Sequence, residues 1–115
     1  MTIAVVDYVR TNDSSPFRDW FDSLHTAAAT KVAAAVSRLE TGHTSSVKWF
    51  EGIGEYRIDW GPGYRIYLAK DGDSLILLLG GGTKRRQQTD IDRAKAMWAE
   101  YKMRKTVALR SKSAR

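Results

Sequence analysis

Between residues 56 and 68 the chain alternates with a period of two. Tyr56, Ile58 and Trp60 interleave with Arg57 and Asp59, and after Gly61-Pro62-Gly63 the residues Tyr64, Ile66 and Leu68 interleave with Arg65 and Tyr67. Alternation of this kind is the signature of strands with one buried face, and a Gly-Pro-Gly between two such runs makes a hairpin. With Ile58 set opposite Ile66, Arg57 falls opposite Tyr67 and Asp59 opposite Arg65. Asp71-Gly72 is a second turn signal, followed by an apolar strand from Ser74 to Leu79. A two-residue turn there places Ile66 opposite Leu77 and Leu68 opposite Leu75. Both registers keep the same side chains on the core face, as a meander requires. Arg57, Arg65 and Tyr67 then project together from the other face. The strand from Ser74, apolar on both sides, is expected in the sheet interior.

The flanking segments complete an α+β pattern. Ile3 to Val9 is a short β-branched run that predicts a first strand. Ser15-Pro16 supplies an N-cap and a proline at the first helical position. Phe17, Trp20, Phe21 and Leu24 follow at helical spacing. A second, alanine-rich helix is expected from Thr26 to Thr41, with Ala28, Val32, Ala35, Val36 and Leu39 inward and Gly42 as its stop. After Gly80-Gly81-Gly82 and Thr83-Lys84-Arg85-Arg86, a last helix buries Ile91, Ala94, Trp98 and Tyr101. Thr89 and Asp92 resemble a capping box with Asp in place of Glu, so a start one turn earlier also fits. The expected order is βααβββα: one domain over residues 1–103, a mostly antiparallel four-stranded sheet with helices packed on it, and a flexible basic tail over 104–115.

Charge is unevenly placed. The chain carries +6 overall, yet six of its 19 basic residues lie after Tyr101 with no acid among them, so residues 1–101 hold 13 of each sign. Affinity for nucleic acid therefore has to come from local clusters rather than from the total. No cysteine is present, which removes disulfides and thiolate metal sites and suits a reducing cytosol. The N-terminus lacks the pattern of a signal peptide, and the most apolar run, Leu75 to Leu79, is too short to span a bilayer, so a cytoplasmic location with no membrane association is expected.

The run Tyr56-Arg57-Ile58-Asp59-Trp60-Gly61-Pro62-Gly63-Tyr64-Arg65-Ile66-Tyr67-Leu68 resembles the hairpin of the RelE/HigB superfamily of toxins, within it the phage-derived "addiction module killer protein" branch. The similarity continues through Asp71-Gly72-Asp73, the glycine triplet, Lys84, Gln87-Gln88, Asp90-Ile91, Ala94-Lys95 and Trp98. It implies a small microbial-RNase-like domain with helices on one side of the sheet. It further implies a type II toxin–antitoxin pair in which the toxin cuts mRNA, commonly on the ribosome, and a helix-turn-helix antitoxin neutralises it. The same superfamily includes ParE-type toxins, which block DNA gyrase by binding, and that is the alternative.

RNA can be cut without metal or cofactor. The 2′-hydroxyl loses a proton and attacks the adjacent phosphorus, the 5′-oxygen leaves, and the site must stabilise the added negative charge. Arginine suits the last task because its fork grips phosphate and stays charged. Arg57 and Arg65, on adjacent strands, and Lys84 just beyond the strand exit are the candidates, at positions where the family carries basic residues. Lys48 and Tyr67 are candidates for the proton transfer, Tyr67 also as a platform for a base. Arg85, Arg86 and Gln88 are candidates for holding RNA. Each has a plain structural reading beside it: an ion pair of Arg65 with Asp59, stacking of Arg57 on Tyr67, a solvated turn at Lys84–Arg86. His25 and His43 read as capping or exposed residues. Asp71, Asp73, Asp90 and Asp92 read as turn and capping residues, so no metal site is expected.

Overall fold

The structure is a computed structural model that describes residues 3–113. Its elements are β1 (Ala4–Asp7), α1 (Pro16–Asp22), α2 (Thr26–Glu40), β2 (Val47–Phe50), β3 (Ile53–Ile58), β4 (Tyr64–Asp71), β5 (Leu75–Thr83), a 3-10 turn (Lys84–Arg86) and α3 (Gln87–Ser113). The fold is α+β, but the sheet has five strands in the order β1-β5-β4-β3-β2, and it is mixed, because β1 runs parallel to β5. No helix among the described residues is long and apolar enough to cross a membrane.

The helix starts follow local chemistry. Ser15 caps α1 by accepting from the Arg18 amide at 3.1 Å, with Pro16 opening the helix. His25 caps α2 through its ring nitrogen, 3.3 Å from the Ala28 amide, so it begins the second helix rather than ending the first. The 3-10 turn leads directly into α3, one turn ahead of the Thr89 start. At its other end α3 continues through residues 104–113, where a flexible tail was expected; residues 114–115 of that tail lie outside the described residues.

The sheet differs from the expected one in three ways, each with a physical cause. The extra strand β2 is four residues long and returns into β3 through Glu51-Gly52, both at positive φ (50° and 89°), a tight turn in which only the second position carries the usual glycine signal. The hairpin β3–β4 pairs Ile58 with Tyr64, Arg57 with Arg65 and Glu55 with Tyr67. This is two residues from the expected register, so every side chain keeps its face while changing its partner. Between β4 and β5 the loop holds three residues, Asp71 pairing with Leu75, and a bulge interrupts the ladder where Tyr67 pairs with Gly80 but Leu68 with Leu78.

Alternation along β5 lets it serve two cores. On one face Phe17, Val32, Ala35 and Leu39 of α1 and α2 pack on Val47, Tyr56, Ile66, Leu68, Ile76 and Leu78. On the other, Ile91 and Ala94 of α3 cover Tyr8, Ile53, Tyr67, Ala69, Leu77 and Leu79. Leu77 therefore sits on the side of the sheet opposite Ile66, not across from it, and the helices cover both faces rather than one. Past the bulge the glycines become a packing requirement. A Cβ on Gly81 would lie 2.2 Å from the Trp20 ring, and one on Gly82 would lie 2.0 Å from an oxygen of Asp90.

Candidate active site

The α3 face of the sheet carries a row of polar residues at the end where β4 begins. Arg57 and Arg65 are direct cross-strand partners, an arrangement that repels unless something lies between them. Glu55 does. Two residues before Arg57 on the same face, it is 1% exposed, and its carboxylate accepts from Arg57 Nε at 2.9 Å and from Gln87 Nε2 at 2.9 Å. Arg65 Nε stands 3.5 Å from the second oxygen, an ion pair without hydrogen-bond alignment, so this buried N–H is left without an acceptor. Burial pushes the Glu55 carboxyl up, but the bonds from Arg57 and Gln87 and the charges of both arginines outweigh it and hold the group below its usual range.

The other expected residues fall around this pair. Lys48 on β2 is the cross-strand partner of Glu55 and shares its face, exposed at the sheet edge. Lys84 follows β5, its amide donating to the Gly63 carbonyl at 3.0 Å. A Cβ on Gly63 would lie 3.7 Å from Arg65 Nη1 and 3.8 Å from Lys84 Cβ, so both residues flank the bare backbone of the turn. Arg57 is half exposed, whereas the Arg65 side chain keeps 7% of its surface.

Four placements depart from the expected site. Asp59 is exposed and forms no ion pair with Arg65, whose carboxylate partner is Glu55. Tyr67 is on the arginine face but wholly buried under α3, its hydroxyl without a hydrogen-bond partner. It therefore offers no ring to an RNA base. Burial, with Glu55 and Asp90 nearby, pushes the hydroxyl far above the usual tyrosine range. Gln88 bonds to Asp92 on the outer side of α3, and its neighbour Gln87 is the glutamine that enters the site. Arg85 and Arg86 are exposed on the 3-10 turn, and only Arg86 lines a cleft.

Sequence reading missed Glu55, Gln87 and the position of Asp90. The signal for Glu55 was present, since carrying the alternation of Arg57 back by two residues puts it on the same face. The resulting constellation can grip a phosphate with two guanidinium groups backed by one carboxylate, which holds Arg57 by a hydrogen bond and Arg65 by charge alone.

Beside this row lies a cleft of about 600 Å³ between α1 and α3, lined by Arg10, Asp19, Trp20, Gly81, Gly82, Arg86, Asp90 and Arg93 among others. The Oδ2 atom of Asp90 is buried over Gly82 without a partner. Burial raises this carboxyl, against the opposing effect of Arg86 and Arg93.

No family model matches the chain. Over 86 residues it is 40% identical to an uncharacterized protein of Haemophilus influenzae (strain Rd), an alignment that covers 73% of this chain and 87% of that protein. The chain belongs to the same family as that Haemophilus protein.

Proposed function

We propose that this protein is the toxin of a type II toxin–antitoxin pair, of the RelE/HigB kind, and that it cuts mRNA without metal, on or near the ribosome. What supports the reading is the Arg57–Arg65 pair, two guanidinium groups on adjacent strands backed by buried Glu55. In the proposed step Arg57 and Arg65 take the scissile phosphate, and Lys84 at the Gly63 turn adds positive charge as the oxyanion develops. The proton transfer falls to Lys48. Glu55 already accepts from Arg57 and Gln87, and the buried Tyr67 hydroxyl is pushed away from neutral pH. Arg85 and Arg86 hold the flanking strand electrostatically.

Pulse-labelling after induced expression tests the reading. Protein synthesis should stop first, with mRNA fragmented, while Arg57→Ala and Lys84→Ala stay folded and lose growth arrest. Arrest of DNA replication with intact mRNA would instead indicate the gyrase-binding alternative, and full toxicity of both variants would refute the assigned site. A helix-turn-helix protein encoded beside this chain and able to restore growth would identify the antitoxin.

A further inference from the structure

The cleft between α1 and α3 takes no part in the proton transfer or phosphate clamp described above. Its floor is the glycine end of β5, beyond Leu78, where pairing with β1 has ended. Three guanidinium groups, Arg10, Arg86 and Arg93, and two carboxylates, Asp19 and Asp90, line it. None of the five is ion-paired with another described residue. Arg86 and Arg93 act on Asp90 through their charge, against the larger effect of burial that raises its carboxyl, and neither approaches to ion-pair distance.

Charges of both signs that face one cleft and leave each other unpaired complement a ligand with an anion at one end and N–H donors at the other. A nucleotide whose base carries an exocyclic amino group has that form. Its phosphate suits the arginines, and carboxylates accept from an amino group such as cytosine N4. The volume is within the range of ligand pockets, about 300–1,000 Å³. Gly82 contributes by having no side chain, which allows the Asp90 carboxylate to sit against the strand at the cleft wall.

We propose that this cleft binds one nucleotide of an RNA strand, its phosphate on Arg86 and Arg93 and the amino group of its base on the Asp90 carboxylate. The inference rests on the RNA reading of the protein, and it assigns Asp90 a specificity role distinct from the Arg57–Arg65 phosphate clamp.

Cytidine and uridine 3′-monophosphates are the probes: cytosine carries an amino group at C4 and an acceptor at N3, whereas uracil carries a keto oxygen at C4, which a carboxylate repels, and an N–H at N3. Amide-resolved NMR titration of the full chain should place the shifts on α1, residues 81–83 and the first turns of α3. Cytidine should bind about tenfold more tightly than uridine. The trinucleotides UCU and UUU should show the same order, which ties the site to a strand rather than to a free nucleotide. Asp90→Ala should erase the preference while the protein stays folded, because it removes the acceptor and with it an Oδ2 atom that is buried over Gly82 without a partner. Equal binding of the two probes, a preference that survives Asp90→Ala, shifts confined to Arg57 and Arg65, or failure of the trinucleotides would each overturn the proposal. Cleavage is scored separately. A protein that shows the cytidine preference but never cuts RNA refutes the endonuclease reading alone.

Discussion

Arg57 and Arg65 face each other across two strands because Glu55 lies beneath both, and the carboxylate is as dependent on them as they are on it. Removing one partner of a buried ion pair leaves the rest desolvated and unmatched, at a cost of about 3–5 kcal/mol. Glu55→Ala should therefore lower unfolding stability by roughly that amount in a urea titration, whereas Arg57→Ala, at the half-exposed end, should cost much less. The arginine face was legible in the sequence because a strand's side chains alternate whatever its register. The pairing was not, since a shift of two residues changes every partner and no face. Glu55 was lost for a smaller reason, the strand being started at Tyr56 when it begins at Ile53.

Among the elements, α3 shows most clearly how a polar sequence is held as a helix. Its first half is fixed by Ile91 and Ala94 in the second core. Its middle is fixed by charge: Glu100 is bonded by Arg104 and by the Tyr8 hydroxyl, Arg104 also reaches the Val9 carbonyl, and Asp71 accepts from Tyr101 and Lys105. The bond from Arg104, then that from Tyr8, carries the Glu100 carboxyl down to about 2, and the bonds from Lys105 and Tyr101 lower Asp71. Carboxyls depressed in the folded state stabilise fully above their unfolded values, near pH 4, and lose that contribution as pH falls through the folded ones. Amide protection along residues 98–106, taken relative to the intrinsic exchange rate at each pH, should accordingly fall between about pH 4 and pH 2, ahead of the amides of β4, and salt should weaken the effect because these groups are exposed. Such anchoring depends on distant partners (Tyr8, Val9 and Asp71), so the run of bases after Tyr101 read as a tail. β2 was hidden differently. Four residues cannot show a period, and a turn with glutamate at positive φ gives little warning.

For the whole molecule, the charge distribution sets how it would meet RNA. Arg57, Arg65 and Lys84 cluster at one end of the sheet, with Arg86 and Arg93 along the neighbouring cleft. If three of these neutralise phosphates, the logarithm of the affinity for single-stranded RNA should fall with the logarithm of salt at a slope of about −2. Arg57→Ala should reduce the slope by about 0.7, as read by fluorescence anisotropy. The general class, helices on an antiparallel meander, was legible from periodicity. The strand from Ser74 reads as apolar on both sides, but that α3 takes one face and α1 with α2 the other was not legible, because it is set by packing between residues distant in the chain. The parallel pairing of β1 with β5 has a further consequence, for the order in which the molecule is made. Each of its pairs, from Ala4–Leu75 to Asp7–Leu78, joins positions 71 residues apart, and loops of that length close late and slow the search for the native state. Glu55, similarly, receives its bond from Gln87 only after 32 more residues have been added. A chain growing from its N-terminus can form the β3–β4 hairpin early, but it cannot complete the sheet until β5 has emerged, nor bring Gln87 to Glu55 until the final helix begins.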